Sequence, residues 1–104
     1  MTLKEFDTNL KKAFSDTYET AAPRGKQRYV VWHKYGRSSL FGDNRNQADV
    51  PNVQIDIITN IPDDLLVDDI CAALWMMDLS CFVVSEGYDD EYAAFRTILQ
   101  LVVI

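Results

Sequence analysis

Alternating apolar and polar positions mark residues 53–59 as the strand around which the chain is organised. Val53, Ile55 and Ile57 fall on one side of this stretch, although Ile58 interrupts the polar side. β-branched side chains in such an alternation are typical of a strand with one buried face. We therefore expect this strand to lie in the middle of the sheet.

Apolar residues at spacings of three and four predict two amphipathic helices, over residues 2–20 and 62–79. Thr2 and Glu5 fit a capping box at the start of the first helix. Pro62 stands near the first position of the second helix, where its missing N–H costs no hydrogen bond. Both helices should turn their apolar stripes onto the sheet.

Three further strands are predicted over residues 26–35, 82–86 and 94–104, and an acidic turn over 87–92 separates the last two. Residues 36–49, between the predicted strands 26–35 and 53–59, are polar and contain glycine, which predicts a long loop. A loop of this length in a small domain is usually functional or disordered.

These elements give the order α-β-β-α-β-β in a single domain, residues 1–104, with an N-terminal helical segment over 1–22. Neighbouring strands joined like hairpins, with helices beside them, predict an α+β fold. We expect a small two-layer sandwich, in which helices pack on one face of a mainly antiparallel or mixed four-stranded sheet.

Charge is divided unequally along the chain. Residues 1–45 hold nine Lys or Arg and five acids, for a net charge of +4, whereas residues 46–104 hold one Arg and eleven acids, for −10. Halves of opposite charge attract either within one fold or between neighbouring copies, and the sequence leaves both interpretations open. The total of −6 argues against general affinity for nucleic acid, because phosphate binding needs clustered basic residues.

Residues with catalytic or metal-binding potential form no recognisable motif. Cys71, Cys81 and His33, the only cysteines and histidine, cannot supply the four ligands of a structural zinc site. The acids that follow Pro62 and those of the 87–92 turn are best explained as solvated side chains. We therefore expect no enzyme, no catalytic residues, no cofactor and no metal. No apolar run approaches the roughly 20 residues of a membrane span.

Three segments read together resemble a known family: YVVWHKYG at 29–36, VQIDIITN at 53–60, and AFRTILQLVVI at 94–104 after GYDDEY. Their pattern and order, over residues 26–104, are similar to those of tail-completion proteins of long-tailed bacteriophages. These are also called tail-terminator or head-to-tail joining proteins, and the resemblance is strongest to those from prophages of Gram-positive bacteria.

The resemblance implies a non-enzymatic structural protein of the virion tail, assembled in the host cytoplasm. It implies a homo-oligomeric ring, commonly hexameric, that contacts the tail-tube protein and the head-tail connector proteins. DNA would pass through the ring without being bound specifically. Residues 36–49 would form an arm toward a neighbour. The apolar pair Leu40 and Phe41 within it needs a surface to bury against, either on that neighbour or on the domain's own core.

If the opposite charges serve ring closure, basic groups of one copy should face acids of the next. The predicted interface residues are Arg28, Lys34, Arg37 and Arg45 on one side and Asp56, Asp89, Asp90 and Glu91 on the other, together with Leu40 and Phe41 of the loop. The competing hypothesis is a small acidic DNA mimic or inhibitor encoded by a mobile element, which would act as a monomer or dimer.

Overall fold

The computed structural model describes the backbone of residues 1–39 and 49–104 and the side chains of residues 1–37 and 50–104. Over these residues the chain forms two helices and five strands in the order α-β-β-β-α-β-β. They are α1 (Leu3–Ala13), β1 (Thr17–Glu19), β2 (Arg28–Ser39), β3 (Asp49–Thr59), α2 (Leu66–Met76), β4 (Cys81–Asp89) and β5 (Ala94–Val102).

The described strands form one mixed sheet in the order β1-β2-β3-β5-β4. β2 pairs with β3, β3 with β5 and β5 with β4, all antiparallel, whereas β1 runs parallel to β2. The predicted small α+β fold is confirmed. The predicted four strands and their order are wrong, because a short strand between the first helix and β2 adds a fifth.

The first helix is shorter than predicted. Its start is confirmed, because the Thr2 hydroxyl accepts a hydrogen bond of 3.1 Å from the Glu5 backbone N–H. It ends at Ala13, and the backbone of Phe14 is already extended, with φ −152° and ψ 115°. Thr17 and Tyr18 then pair with β2, so hydrogen bonding to the sheet overrides the helical spacing of this stretch.

The second helix also begins later than predicted. Pro62 lies in a turn before the helix, and Asp63 adopts a left-handed φ of 55° that a helix cannot contain. The Leu66 backbone N–H donates to Asp64 Oδ1 at 3.0 Å, so a side chain from outside the helix stabilises its first turn. Asp78, with φ 59°, follows the last turn.

Part of the predicted loop is strand. β2 continues to Ser39 and β3 begins at Asp49, with a register shift between Lys34 and Gly36. Residues 40–48, including Leu40, Phe41 and Arg45, lie outside the described residues. β4 likewise continues to Asp89, so the predicted 87–92 turn is shorter, and β5 ends at Val102.

Both helices pack on one face of the sheet, as predicted. The side chains of Val53, Ile55 and Ile57 are fully buried against them. The other core residues are Phe6, Leu10, Val30, Trp32, Leu66, Ile70, Leu74, Leu79, Leu99, Leu101 and Val103. None of the helices in the described part of the chain is long and apolar enough to cross a membrane.

Trp32 fixes the first helix to the sheet. Its ring packs edge-on against Phe6, with ring centroids 5.3 Å apart. Its indole Nε1 donates a hydrogen bond of 2.8 Å to Asp7 Oδ1, which satisfies the one polar atom of a buried side chain. α1 therefore has a defined position over β2.

Candidate interaction surface

β4 forms one edge of the sheet, because β5 is its one neighbouring strand among the described residues. Four large apolar side chains of this strand are half exposed or more: Phe82 (62%), Val83 (51%), Val84 (50%) and Tyr88 (59%). An edge strand also presents a row of unpaired backbone N–H and C=O groups. Apolar side chains beside such a row are typical of a surface that pairs with another chain.

A bulge at Val84 shapes this edge. Val83 pairs with Leu99 and Ser85 with Ile98, so Val84 has no partner in β5. A bulge increases the local twist of the strand. Beyond it, Tyr88 packs edge-on against Phe95, with ring centroids 5.4 Å apart, so the end of β4 stays attached to its neighbour.

The edge ends in an acidic turn. Asp89 Oδ1 accepts hydrogen bonds from the backbone N–H groups of Glu91 and Tyr92, at 2.9 and 3.3 Å, which hold the turn. The side chains of Asp90 and Glu91 are exposed, and neither forms an ion pair with any described residue. Glu86, within β4, is also exposed and forms no ion pair with a described residue.

The opposite edge of the sheet is only partly covered. β1 pairs with Val30, Val31 and Trp32 of β2. Residues 33–39 of β2 therefore have no strand on that side in the described structure. The side chains of Lys34 and Arg37 are exposed there and form no ion pair with a described residue.

Arg28, a predicted interface residue, forms an ion pair within the subunit. Its Nε and Nη2 donate to Asp64 Oδ2 and Oδ1 at 2.7 and 2.9 Å, and Asp64 Oδ2 also accepts from the Thr59 hydroxyl at 2.6 Å. The Arg28 guanidinium, together with the Thr59 hydroxyl and the Leu66 N–H, holds the pKa of Asp64 well below its usual range. The Arg28 charge is thus part of the fold.

Asp56 and Asp89, two predicted interface acids, are both paired with Arg96. Arg96 Nη2 donates to Asp56 Oδ2 at 2.7 Å, and Nη1 lies 3.4 Å from Asp89 Oδ2. The guanidinium also stacks over the Tyr92 ring, 4.7 Å from its centroid. These pairs belong to the sheet face away from the helices, where Gln54 Nε2 donates to Asp56 Oδ1 at 2.9 Å.

The predicted interface residues therefore divide into three groups. Arg28, Asp56 and Asp89 form ion pairs within the subunit. Lys34, Arg37, Asp90 and Glu91 are exposed and unpaired among the described residues, and Leu40, Phe41 and Arg45 lie outside them. The predicted set did not include the exposed apolar residues of β4 or Glu86, because the sequence shows a strand there but not its place at the edge.

Two hollows lie away from the β4 edge. A groove of about 490 Å³ between the helices is lined by residues that include Lys12 and Met76. A hollow of about 440 Å³ lies between residues 20–26 and the sheet face that carries Tyr29 and Asp56. Within residues 1–39 and 49–104, no group of three or more His, Cys, Asp or Glu is placed to hold a metal ion.

No protein-family model matches this sequence, and no curated protein matches it. Among solved structures, the chain is similar to a chain of the virion of a native gene transfer agent particle. The identity is 15%, the match covers 90% of this chain and 83% of that chain, and the TM-score is 0.48.

Proposed function

We propose that this protein is a structural component of a phage or prophage virion that completes the tail, assembles as a ring and joins the tail to the head connector. The resemblance of residues 26–104 to tail-completion proteins suggests the class. The observation that carries the proposal is the β4 edge, which presents four exposed apolar side chains.

A ring of identical subunits needs two different complementary patches on each copy, because each interface joins the front of one subunit to the back of the next. The described surface offers two such patches. One is the apolar edge of β4 with its acidic end, and the other is the basic stretch of β2 that carries Lys34 and Arg37. These lie at opposite edges of the sheet.

Joining a tail to a head also requires contacts along the ring axis, with the tail-tube protein on one side and a connector protein on the other. We propose that Leu40, Phe41 and Arg45 contribute to these contacts or to those between neighbouring copies. In protein interfaces, apolar side chains supply buried area, and arginine supplies hydrogen bonds that orient the partners.

The competing hypothesis of an acidic DNA mimic depends on free carboxylates that imitate phosphates. Three acids of residues 46–104 are already paired with arginines of the same chain, Asp64 with Arg28 and Asp56 and Asp89 with Arg96. An acid paired in this way presents little negative charge to a DNA-binding protein. The pairing reduces the number of free carboxylates that could serve such mimicry.

The test is a stop codon early in the coding sequence of this protein in the parent phage or prophage. Electron microscopy of the induced lysate should show filled heads and separate tails, and supplying the wild-type chain from a plasmid should restore joined virions. Normal virions from the stop-codon phage would overturn the proposal.

A further inference from the structure

We infer that copies of this protein associate by continuing the sheet, with β4 of one copy pairing antiparallel with residues 33–37 of β2 in the next. This inference rests on the proposed ring and names the surfaces that close it. Both segments are edges without a neighbouring strand in the described structure. Each would gain the backbone hydrogen bonds that an edge strand lacks.

The strand directions fit this pairing. β2 is antiparallel to β3, β3 to β5, and β5 to β4, so β4 runs opposite to β2. A second copy placed beside β4 by rotation about an axis roughly along the strands presents its β2 antiparallel to β4. The contact uses a different edge of each copy, so repeating it generates a ring if the rotation closes.

The exposed charges of the two edges lie on the same face of the sheet. Lys34 pairs with Val53, and Arg37 pairs with Pro51, two residues before Val53 on the same strand. Glu86 pairs with Thr97. Val53 and Thr97 are both buried on the helix-bearing face, and paired residues of neighbouring strands share a face.

Opposite charges on neighbouring strands and on one face stabilise their pairing. In the continued sheet, Lys34 and Arg37 of one copy lie on the strand next to the one that carries Glu86 of the other copy. All three side chains are on the same face of the sheet. The acidic turn with Asp90 and Glu91 extends the negative end of the same edge. Tyr35, 47% exposed, adds an aromatic side chain to the same segment of β2.

A symmetric pairing of two β4 strands is the other way to cover this edge. It would bring two acidic edges together, since Glu86 and the acidic turn are present on both copies. It would also end in a closed dimer and leave residues 33–39 of β2 unpaired. The basic edge of β2 is therefore the better partner.

The experiment uses two charge reversals, Arg37→Glu and Glu86→Arg, in the full chain. Each side chain is exposed, so each variant should fold, which circular dichroism and the melting temperature will check. Each variant alone places like charges at every contact. Light scattering at low ionic strength should then show association weakened by about tenfold at each interface.

Mixing the two variants should restore association to the wild-type level. Where the two variants alternate, the new glutamate of the Arg37→Glu copy faces the new arginine of the Glu86→Arg copy at one contact. The native pair, Arg37 and Glu86, meets at the next contact, so opposite charges face each other at both. A matched control is Arg24→Glu, which reverses an exposed arginine outside the two segments proposed to pair. It should associate like the wild type and should not rescue the Glu86→Arg variant.

Two results would overturn the inference. If single variants associate like the wild type, or if mixing restores nothing, the copies meet through other surfaces, while the virion role stands on the stop-codon experiment. If the wild-type chain stays monomeric at every soluble concentration, free copies do not pair through these edges. In that case normal or defective virions from the stop-codon phage still decide the virion role independently.

Discussion

Arg28 and Asp64 are joined by two parallel hydrogen bonds, of 2.7 and 2.9 Å, although 36 residues separate them in the chain. Arg28 begins β2, and Asp64 lies just before α2, so this pair links the sheet to the start of the helix. The Asp64 side chain is only 6% exposed. Its carboxylate therefore acts in the fold and is not available to a partner.

Replacing Asp64 with Asn should destabilise the protein by about 1.5–3 kcal/mol, the usual contribution of hydrogen bonds to a charged group. Asp63→Asn is the matched control, because Asp63 is exposed, has a left-handed backbone that Asn tolerates, and should give a change within about 0.5 kcal/mol. Urea unfolding measures both. Equal stabilities for the two variants would show that the Arg28–Asp64 pair contributes nothing measurable.

The same pair should make stability depend on pH. The folded-state pKa of Asp64 is lowered, so its contribution is fully present above the unfolded pKa of about 3.9 and is lost as pH falls through the folded pKa. The difference in unfolding free energy between wild type and Asp64→Asn should therefore shrink below about pH 4. A difference that stays constant as pH is lowered through this range would contradict the pairing.

Leu74→Ala should cost about 2–5 kcal/mol, as for other fully buried leucines. Met76→Ala, two residues further along α2, is the matched control, since Met76 is 82% exposed and loses little contact. Thermal and urea unfolding of the two variants should differ clearly. If Leu74→Ala melts like Met76→Ala, the apolar stripe of α2 is not part of the core.

Cys71 should react slowly with alkylating reagents in the folded protein. Burial, together with the neighbouring Cys81, raises the pKa of Cys71 to about 11, and the thiolate is the reactive form. At pH 8, iodoacetamide should modify Cys71 on the order of 100-fold more slowly than in urea, where the thiol pKa is about 8.5. Peptide mass spectrometry gives both rates, and similar rates would show that the thiol is accessible.

The raised pKa of Cys71 should also make the stability of the protein depend on pH in the alkaline range. Because the unfolded chain ionises Cys71 more easily, unfolding should become more favourable as pH rises above about 8.5. Cys71→Ala should remove this part of the pH dependence. An unchanged pH profile in that variant would assign the dependence to other groups.

A double change, Leu40→Ser with Phe41→Ser, tests the proposed contact of this apolar pair. We expect the free energy of unfolding to stay within about 0.5 kcal/mol of wild type, and tails in the complemented stop-codon phage to remain unjoined. Ser38→Ala with Ser39→Ala, just before the pair, serves as the control. Normal joining by the Leu40/Phe41 variant would remove these residues from the mechanism.

The spacing of apolar residues predicted the buried helix and strand well, because that spacing reflects which side of each element is buried. Val53, Ile55 and Ile57 in β3, and Leu66, Ile70 and Leu74 in α2, lie in the core as the alternation and the helical spacing indicate. The capping side chain Thr2 was also identified, since its hydrogen bond to Glu5 spans only three residues. Such features depend on a few neighbouring residues.

The remaining features depend on pairing between distant segments, which periodicity does not encode. Thr17 and Tyr18 continue the spacing of the first helix, yet they pair with β2 because a sheet edge is open to them. Arg28 and Asp56 look like free surface charges in the sequence, and only the strand register brings each beside an oppositely charged partner. The edge position of β4 follows from the strand order alone.

The antiparallel pairing of β3 with β5 also determines the order in which the chain can fold. It joins residues as far apart in the chain as Asn52 and Val102, whereas β4 and β5 are consecutive strands that pair through a short turn. Closing the longer loop costs more chain entropy before any contact compensates for it, so this pairing should limit the folding rate. Loss of apolar contacts at Leu99 should slow folding, whereas changes on the exposed side of β4 should mainly speed unfolding.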